Sequence, residues 1–413
     1  MEETHLDKKV DWKKNVALFL AGQTISLFGS SLVQYAIMWY ITLNTKSGIM
    51  LTISIICGFL PTFFLSPFAG VWADRYNRKM LIILSDSMIA LVTLVLAILF
   101  FMGYDAMWLL FLASAVRALG GSIQTPAVNA FIPQFVPEDK LLRVNAVNGT
   151  IQSITMLVSP MLSGALLTFA SIEAIFFIDV VTAALAIFTV LFFVNVPAHE
   201  RALTKQSVSY FHDLGEGVRY IKNHKFIKVY YLFFAVFYIF VSPVAFLTPL
   251  QVARSFGDEV WRLTAIEISF AVGMILGGIT MSAWGGLKNK IYTIAFTILI
   301  FGITTIALGI VPVFWLYIVF MVISGVAIPG FNTPSIALLQ QKVEGDYQGR
   351  AFGVLGMIQS AMMPISILVF GPLADIIAIE WMLIGTGIIM SLMALILTNN
   401  KVLVEAGKPE PEL

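Results

Sequence analysis

Cysteine, histidine and charged residues are scarce in this 413-residue chain. The single cysteine, Cys57, excludes a disulfide within the chain and a metal site built from cysteines. The histidines all fall in polar stretches, which argues against a metal cluster or a proton relay in an apolar segment; they are His5, His199, His212 and His224. Only 12% of the residues are charged, against about a quarter in a soluble domain. The net charge of +1 gives no case for nucleic-acid binding.

The chain is rich in long apolar runs. The chain is 59% hydrophobic, with a mean hydropathy of +0.89. About twelve runs are long enough, at roughly 20 residues, to cross a bilayer as helices. They lie near 15–43, 49–72, 80–102, 107–131, 144–170 and 174–194, and then near 226–251, 263–284, 290–311, 313–340, 350–377 and 379–399. The pattern predicts an all-α polytopic membrane protein.

The runs divide into two sets of six around one polar stretch. We expect an amino-terminal six-helix bundle over 1–195, a cytoplasmic linker over 196–225, a carboxyl-terminal bundle over 226–399 and a tail over 400–413. Spaced apolar residues in the linker predict an amphipathic helix on the inner membrane surface, with a solvated connector as the alternative. These residues are Phe211, Leu214, Val218, Ile221 and Phe226.

Lysine and arginine predict the orientation. The charged amino-terminus precedes a run too long for a cleavable signal peptide. If this end lies inside the cell, twenty-one of the 25 basic residues fall on the inner side and one, Arg117, within a helix. Only Lys46, Arg254 and Arg262 fall outside. Both termini are therefore predicted to be cytoplasmic.

The two sets of helices carry an internal repeat. The segment beginning Thr125-Pro126 aligns with the segment beginning Thr333-Pro334, and Asn148-Gly-Thr-Ile-Gln-Ser153 aligns with 355–360. The offsets are about half the chain. Two pseudo-symmetric halves are typical of transporters whose substrate site lies between them near the middle of the membrane.

A charged turn, Gly70-Val-Trp-Ala-Asp-Arg-Tyr-Asn-Arg-Lys79, separates the second and third apolar runs and must lie at a membrane surface. It resembles the signature of major facilitator superfamily transporters. That resemblance implies the major facilitator fold and a conformational latch on the cytoplasmic side, formed by Gly70, Asp74, Arg75 and Arg78. Asn77 stands where the family usually has a second glycine. Ordinary membrane anchoring by positive charge is the alternative, but it does not explain Asp74.

Four charged residues lie within apolar runs. Arg117 lies ~15 Å into its helix, where an arginine is costly enough to suggest a function. It resembles the family's fourth-helix arginine, which implies tuning of a nearby acid's protonation, and a structural ion pair is the alternative. The acids Glu267, Asp179 and Asp86, in that order, are candidates for proton coupling, because burial and neighbouring charge control a carboxyl's protonation. An interfacial or structural role remains open for each acid.

Polar residues form stripes on three predicted helices. Gln23, Ser30 and Gln34 share a face of the first, Asn148, Gln152, Thr155 and Ser159 share a face of the fifth, and Gln359 and Ser366 share a face of the eleventh. Hydrogen bonds between helices would give the same spacing. We interpret the three stripes as the lining of a water-filled cavity. The residues expected to contact substrate there are Gln23, Gln34, Tyr35, Asn148, Gln152 and Gln359. Further aromatic residues, such as Trp39, Phe237, Tyr238 and Phe246, would line such a cavity or face lipid.

Within the superfamily, the chain resembles Mef-type macrolide exporters, with enterobactin exporters as more distant relatives. The resemblance rests on Ala21-Gly-Gln-Thr-Ile-Ser26, Asp213-Leu-Gly-Glu-Gly217 and Ile266-Glu-Ile-Ser-Phe-Ala-Val-Gly-Met274, while Ser159-Pro160-Met-Leu-Ser-Gly164 is similar to a degraded antiporter motif. It implies proton antiport of amphipathic, macrolide-like compounds by alternating access in a bacterial plasma membrane. The expected partners are a small amphipathic substrate, protons and the lipid bilayer, with no cofactor and a monomeric chain.

Rival classes are less compatible with the sequence. A nucleotide-driven pump needs a P-loop, and none is present. An enzyme needs a nucleophile with its base or a metal triad, which the apolar runs lack. A proton-coupled importer of a small nutrient and an exporter of a siderophore-like metabolite remain as alternatives, and a non-transporting scaffold would leave Arg117 unexplained.

Overall fold

The computed structural model describes residues 12–194, 219, 221 and 223–408. Throughout these residues the regular structure is helical. The helices are α1 (Trp12–Thr45), α2 (Gly48–Arg75), α3 (Arg78–Phe101), α4 (Met107–Phe131), α5 (Glu138–Phe169), α6 (Ile172–Phe193), α7 (Lys225–Phe246), α8 (Thr248–Ser255), α9 (Val260–Trp284), α10 (Lys290–Ile310), α11 (Phe314–Lys342), α12 (Gly345–Leu373), α13 (Ile379–Asn399) and α14 (Lys401–Ala406).

Twelve segments of the described chain are long and apolar enough to span a membrane, which confirms the predicted fold class. The α7 and α8 helices form one of them, interrupted at Leu247, and α14 is a short helix after the last span. Helix α5 begins six residues earlier than the apolar run predicts. Pro137 precedes it, and Glu138 and Asp139 occupy its first turn, where acidic side chains stabilise a helix. The predicted linker helix falls mostly outside the described residues.

The chain divides into two compact units. The first contains residues 1–40 and 57–206, and the second contains residues 41–56 and 207–413. In the first unit, Phe19 of α1 packs edge-on against Phe131, the last residue of α4, and against Phe135, four residues beyond it. In the second, Gly273 of α9 and Gly325 of α11 lie so close that a Cβ on either would collide with the other helix's backbone. Small residues allow such approaches between membrane helices.

The second unit includes the end of α1 and the start of α2, and Asp375 makes several contacts with them. Its carboxylate, just after α12, accepts hydrogen bonds from the N–H groups of Gly48 (2.6 Å) and Ile49 (2.9 Å) and from the hydroxyl of Ser47 (2.8 Å). Arg254 pairs with the same carboxylate at 2.6 Å. Asp375 therefore caps α2, whose first N–H groups have no partner within the helix.

The three basic residues predicted to lie on the outer side all have acidic partners in this unit. Besides the Arg254 pair, Lys46 contacts Asp258 at 3.0 Å and Arg262 contacts Glu259 at 3.0 Å. Arg254 also donates to the Lys46 carbonyl oxygen. We call Lys46, Ser47, Arg254, Asp258 and Asp375 the outer cluster.

Replacing Asp375 with asparagine is expected to lower the free energy of unfolding by roughly 1–2 kcal/mol, because hydrogen bonds to a charged acceptor are lost at a site partly screened by solvent. Thermal melting of the detergent-solubilised protein measures this. The matched control is Asp258→Asn, whose ion pair with Lys46 is exposed, so its melting temperature should be unchanged. An equal effect of the two substitutions would contradict the cap.

The pH dependence of this stabilisation has a defined sign. Partial burial raises the pKa of Asp375, but the hydrogen bonds from Gly48, Ile49, Ser47 and Arg254 outweigh it and hold the pKa below its ordinary value. The stabilisation is thus complete above the unfolded pKa of about 3.9 and is lost as pH falls through the lower folded pKa. The gap between wild type and Asp375→Asn should therefore be constant from about pH 5 to 8. A gap that closes near neutral pH would contradict this assignment.

Candidate functional site

Arg117 of α4 forms an ion pair with Asp179 of α6 inside the first unit. The atoms Nη1 and Oδ2 are 2.5 Å apart, and the side chains are 9% and 0% exposed. Thr93 of α3 hydrogen-bonds both partners, and the Ser30 hydroxyl donates to the carboxylate at 3.2 Å. The second amino group of Arg117 donates to the Ser30 carbonyl oxygen at 3.1 Å. Helices α1, α3, α4 and α6 therefore share one buried charge network.

Gly29 lies where α1 approaches α6 beside this network. A Cβ at this position would contact the Thr182 hydroxyl and the Cα and carboxylate of Asp179. The missing side chain lets α1 approach α6 closely enough for Ser30 to reach Asp179. A side chain here would displace the Thr182 hydroxyl and crowd the Asp179 backbone.

Asp86 lies outside this ion pair, among carboxamide side chains. Its carboxylate is 2% exposed and accepts a hydrogen bond from the Gln124 side chain at 2.7 Å. Gln124 also donates to Gln23, at 3.3 Å. Gln23, predicted from its stripe to face a cavity, thus lies in a buried amide cluster between α1, α3 and α4.

The Arg117–Asp179 pair can be tested as a structural unit. Arg117→Leu would leave a buried carboxylate without a counter-charge, at an expected cost of about 3–5 kcal/mol. Replacing both partners with leucine should restore folded protein, because a neutral pair of similar volume removes that penalty. Gel filtration of the solubilised variants measures the folded fraction. Equal losses in the single and double variants would contradict a compensating pair.

Glu267 differs from the other two acids. It is half-buried about two turns after α9 begins, and no described side chain or N–H group hydrogen-bonds or ion-pairs with it. The nearest basic residue along the helix, Arg262, is already paired with Glu259 and lies against the rings of Trp261 and Phe314. Glu267 is therefore a carboxyl group in a membrane-spanning helix without a counter-charge among the described residues.

A cavity of about 410 Å³ opens within the second unit, between α7, α11 and α12. Three aromatic side chains, three carboxamides and three other residues line it. The aromatic residues are Phe234, Tyr238 and Phe352, the carboxamides are Asn332, Gln340 and Gln359, and the others are Ile336, Leu355 and Gly356. Gln359 is the only member of the predicted substrate set that lines it. Elsewhere in the described chain, no group of three or more His, Cys, Asp or Glu side chains is arranged to hold a metal.

Comparison with known proteins identifies the family. The profile of the Major Facilitator Superfamily matches residues 19–367. The chain belongs to this superfamily. It is 30% identical to macrolide efflux protein A of Streptococcus pyogenes over 388 residues, which cover 93% of this chain and 96% of that protein. It is 31% identical to macrolide efflux protein A of Enterococcus faecalis over 323 residues, or 78% of this chain and 99% of that protein.

Solved structures of the superfamily share the fold. A bacterial homologue of the iron transporter ferroportin, in an inward-facing state, has a TM-score of 0.69 at 15% identity and covers 94% of this chain and 99% of its own. A bacterial homologue of the human lysosomal transporter Spinster has a TM-score of 0.69 at 13% identity. The match covers 97% of this chain and 99% of that protein. The fold and family make this chain a multi-pass bacterial membrane transporter.

The superfamily's charged turn joins α2 to α3. Arg78 donates to the carbonyl oxygens of Ala73 and Ala130, both at 2.8 Å, near the carboxyl ends of α2 and α4. Lys79 donates in the same way to Leu191 and Val194 at the end of α6. Asn77, at the position usually held by glycine, caps α3 through the Met80 N–H. The two basic side chains thus satisfy carbonyl groups that helix ends leave unpaired.

The other predicted residues of the turn and stripes have different surroundings. The backbone of Asp74 lies in the last turn of α2, Arg75 is exposed, and a Cβ at Gly70 would meet open space. Gln34 and Gln152 are exposed, whereas Tyr35 and Asn148 are half-buried. Tyr35 packs against the ring of Trp39 at 5.7 Å. Thr93 and Gln124 of the two buried networks, and Asn332 and Gln340 of the cavity, were not predicted from the sequence.

Proposed function

We propose that this transporter exports amphipathic, macrolide-like compounds by alternating access, in exchange for protons. The relatives of about 30% identity are macrolide efflux proteins and match nearly the whole chain, which supports export of similar molecules.

The unpaired carboxyl of Glu267 carries the proposal of proton exchange. A charged carboxylate in an apolar helix is costly without a counter-charge, and taking up a proton removes that cost. Asp179 already has its counter-charge in Arg117, and Asp86 is held by neutral carboxamides. Glu267 is therefore the acid we propose as the proton carrier, with Asp179 and then Asp86 as the next candidates. In this proposal Arg117 serves chiefly to keep Asp179 charged.

Alternating access also requires contacts that open and close. We propose the charged turn, through Gly70, Asp74, Arg75 and Arg78, as the inner latch, in line with the superfamily signature. The outer cluster is proposed as its counterpart, because Asp375 holds the start of α2 by hydrogen bonds that can break without disturbing a core. Charge–dipole contacts at helix ends suit such reversible joints.

Everted membrane vesicles test the proposal. Accumulation of a macrolide is measured with a proton gradient and again after the gradient is collapsed, and the account predicts accumulation only with the gradient. Glu267→Gln should reduce gradient-driven accumulation by at least about tenfold, because the amide cannot exchange a proton.

Glu259→Gln is the matched control, since Glu259 precedes α9 and pairs with Arg262 at its exposed start. It should keep accumulation within about twofold of wild type, as surface pairs contribute little. Normal proton coupling in Glu267→Gln would remove Glu267 as the carrier. Accumulation that persists without a gradient would contradict antiport.

A further inference from the structure

We propose that the short helix α14 is a strap that joins the carboxyl end of α13 to the amino end of α10 and stays docked throughout transport. It does for the second unit what the basic residues of the charged turn do for the first. The inference concerns how one unit is held together and goes beyond the exchange of substrate for protons. Only its transport prediction rests on the proposed function.

The turns that precede α3 and α10 occupy equivalent places in the two sets of six spans. Each lies between the second and third spans of its set and ends in an asparagine, Asn77 or Asn289. Both asparagine side chains cap the helix that follows, by accepting a hydrogen bond from one of its first N–H groups. The next two residues differ, because two basic residues follow Asn77 whereas Lys290 and Ile291 follow Asn289.

In the first unit the two basic residues hold the ends of four helices together. Arg78 and Lys79 begin α3 and donate to carbonyl oxygens at the carboxyl ends of α2, α4 and α6. In the second unit Lys290 makes one comparable contact, because its ammonium group donates to Gln341 in the last turn of α11 at 2.9 Å. Ile291 is fully buried and apolar, so its side chain cannot make the contact that Lys79 makes with α6.

Helix α14 supplies the missing connection to α13. It follows α13 after Asn400, whose side chain caps it by accepting from the N–H groups of Val402 (3.1 Å) and Leu403 (3.3 Å). The helix contacts α7 and α10 as well as α13, and its Leu403 is only 1% exposed. Helix α14 is therefore packed into the second unit by a buried apolar side chain.

Asn289 joins α14 to the start of α10. Its Nδ2 donates to the Val404 carbonyl oxygen at 2.8 Å, while its Oδ1 accepts from the Ile291 N–H at 2.9 Å. The Lys290 N–H donates to the Gly407 carbonyl oxygen at 3.1 Å. These bonds satisfy N–H groups at the beginning of α10 and carbonyl groups at the end of α14, which would otherwise lack partners within their helices.

Gly407 allows this close contact. A Cβ at this position would collide with the Asn289 side chain and with Ile291. The φ angle of Gly407 is −79°, a value open to any residue, so the neighbouring α10 excludes a side chain here and the backbone does not. Gly407→Leu should therefore undock α14 without straining its end.

Hydrogen–deuterium exchange of the purified full-length protein measures docking. Asn289→Asp keeps the acceptor that caps α10, but it removes the donor to Val404 and sets a negative charge against that carbonyl oxygen. The amides of α14 and of Lys290 should then exchange at least about tenfold faster than in wild type. Gly407→Leu should have the same effect. In everted vesicles both variants should accumulate macrolide at least about threefold more slowly, because the ends of α10 and α13 no longer move together.

Asn400→Asp is the matched control. Among the described residues the Asn400 side chain bonds only through its acceptor oxygen, and aspartate caps a helix as well as asparagine does. Gly385→Leu is a second control, because a Cβ at this exposed position of α13 would meet open space. Exchange of α14 and accumulation of macrolide should stay within about twofold of wild type in both.

Three results would overturn the strap. They are free exchange of α14 in wild type with or without macrolide, unchanged exchange in both Asn289→Asp and Gly407→Leu, and normal transport by variants whose α14 has undocked. A wild type that accumulates no macrolide would instead overturn the proposed function, and the exchange rates alone would then decide this inference.

Discussion

The low polarity of the bilayer interior is the constraint on which the structure depends. Each charge in a membrane-spanning helix must have a counter-charge, be neutralised, or be reached by water. The three acids of the membrane-spanning helices differ in their partners. Asp179 has Arg117, Asp86 has carboxamide partners, and Glu267 has neither among the described residues. The difference separates acids whose partners hold helices together from Glu267, which lacks such a partner and which we propose as the proton carrier.

The same constraint explains the ends of the helices. Carbonyl and N–H groups left over at a helix terminus need partners where the chain enters the membrane surface. Arg78 and Lys79 supply donors to three carboxyl ends, and Asp375 supplies an acceptor to the amino end of α2. The charged residues of the connecting turns are therefore structural caps, and we propose that they are also the contacts that break and re-form during alternating access.

The sequence predicts the fold class, because the thickness of a bilayer fixes the length of a spanning helix and twelve apolar runs of that length are visible in the chain. It also singles out Arg117 and Asp179, since a charge in an apolar run is conspicuous. It does not show that they pair, because the two are 62 positions apart and only packing joins α4 to α6. Thr93 and Gln124 are missed for a related reason: a single polar residue in an apolar helix has no pattern that reveals its partner.

The residues of one polar stripe can have different surroundings, because only packing decides what a helix face meets. Spacing along a helix predicts which residues share a face, but not whether that face meets another helix or open space. Gln23 and Ser30 share a face, yet Gln23 belongs to the Asp86 cluster and Ser30 to the Arg117 network. Gln359 lines a cavity, while Ser366, two turns further along α12, donates to a carbonyl of α7. Only the packing of neighbouring helices distinguishes these cases.

The central proposal is that Glu267 carries the proton that is exchanged for substrate, so substrate binding should displace that proton. Substrate-induced proton release tests it most directly, with purified protein in a weakly buffered detergent solution and a pH-indicator dye. The account predicts that adding a macrolide acidifies the solution for wild type and for Glu259→Gln, and that Glu267→Gln releases no protons although it still binds the compound. Proton release by Glu267→Gln equal to that of wild type, or none by the wild type, would contradict the account.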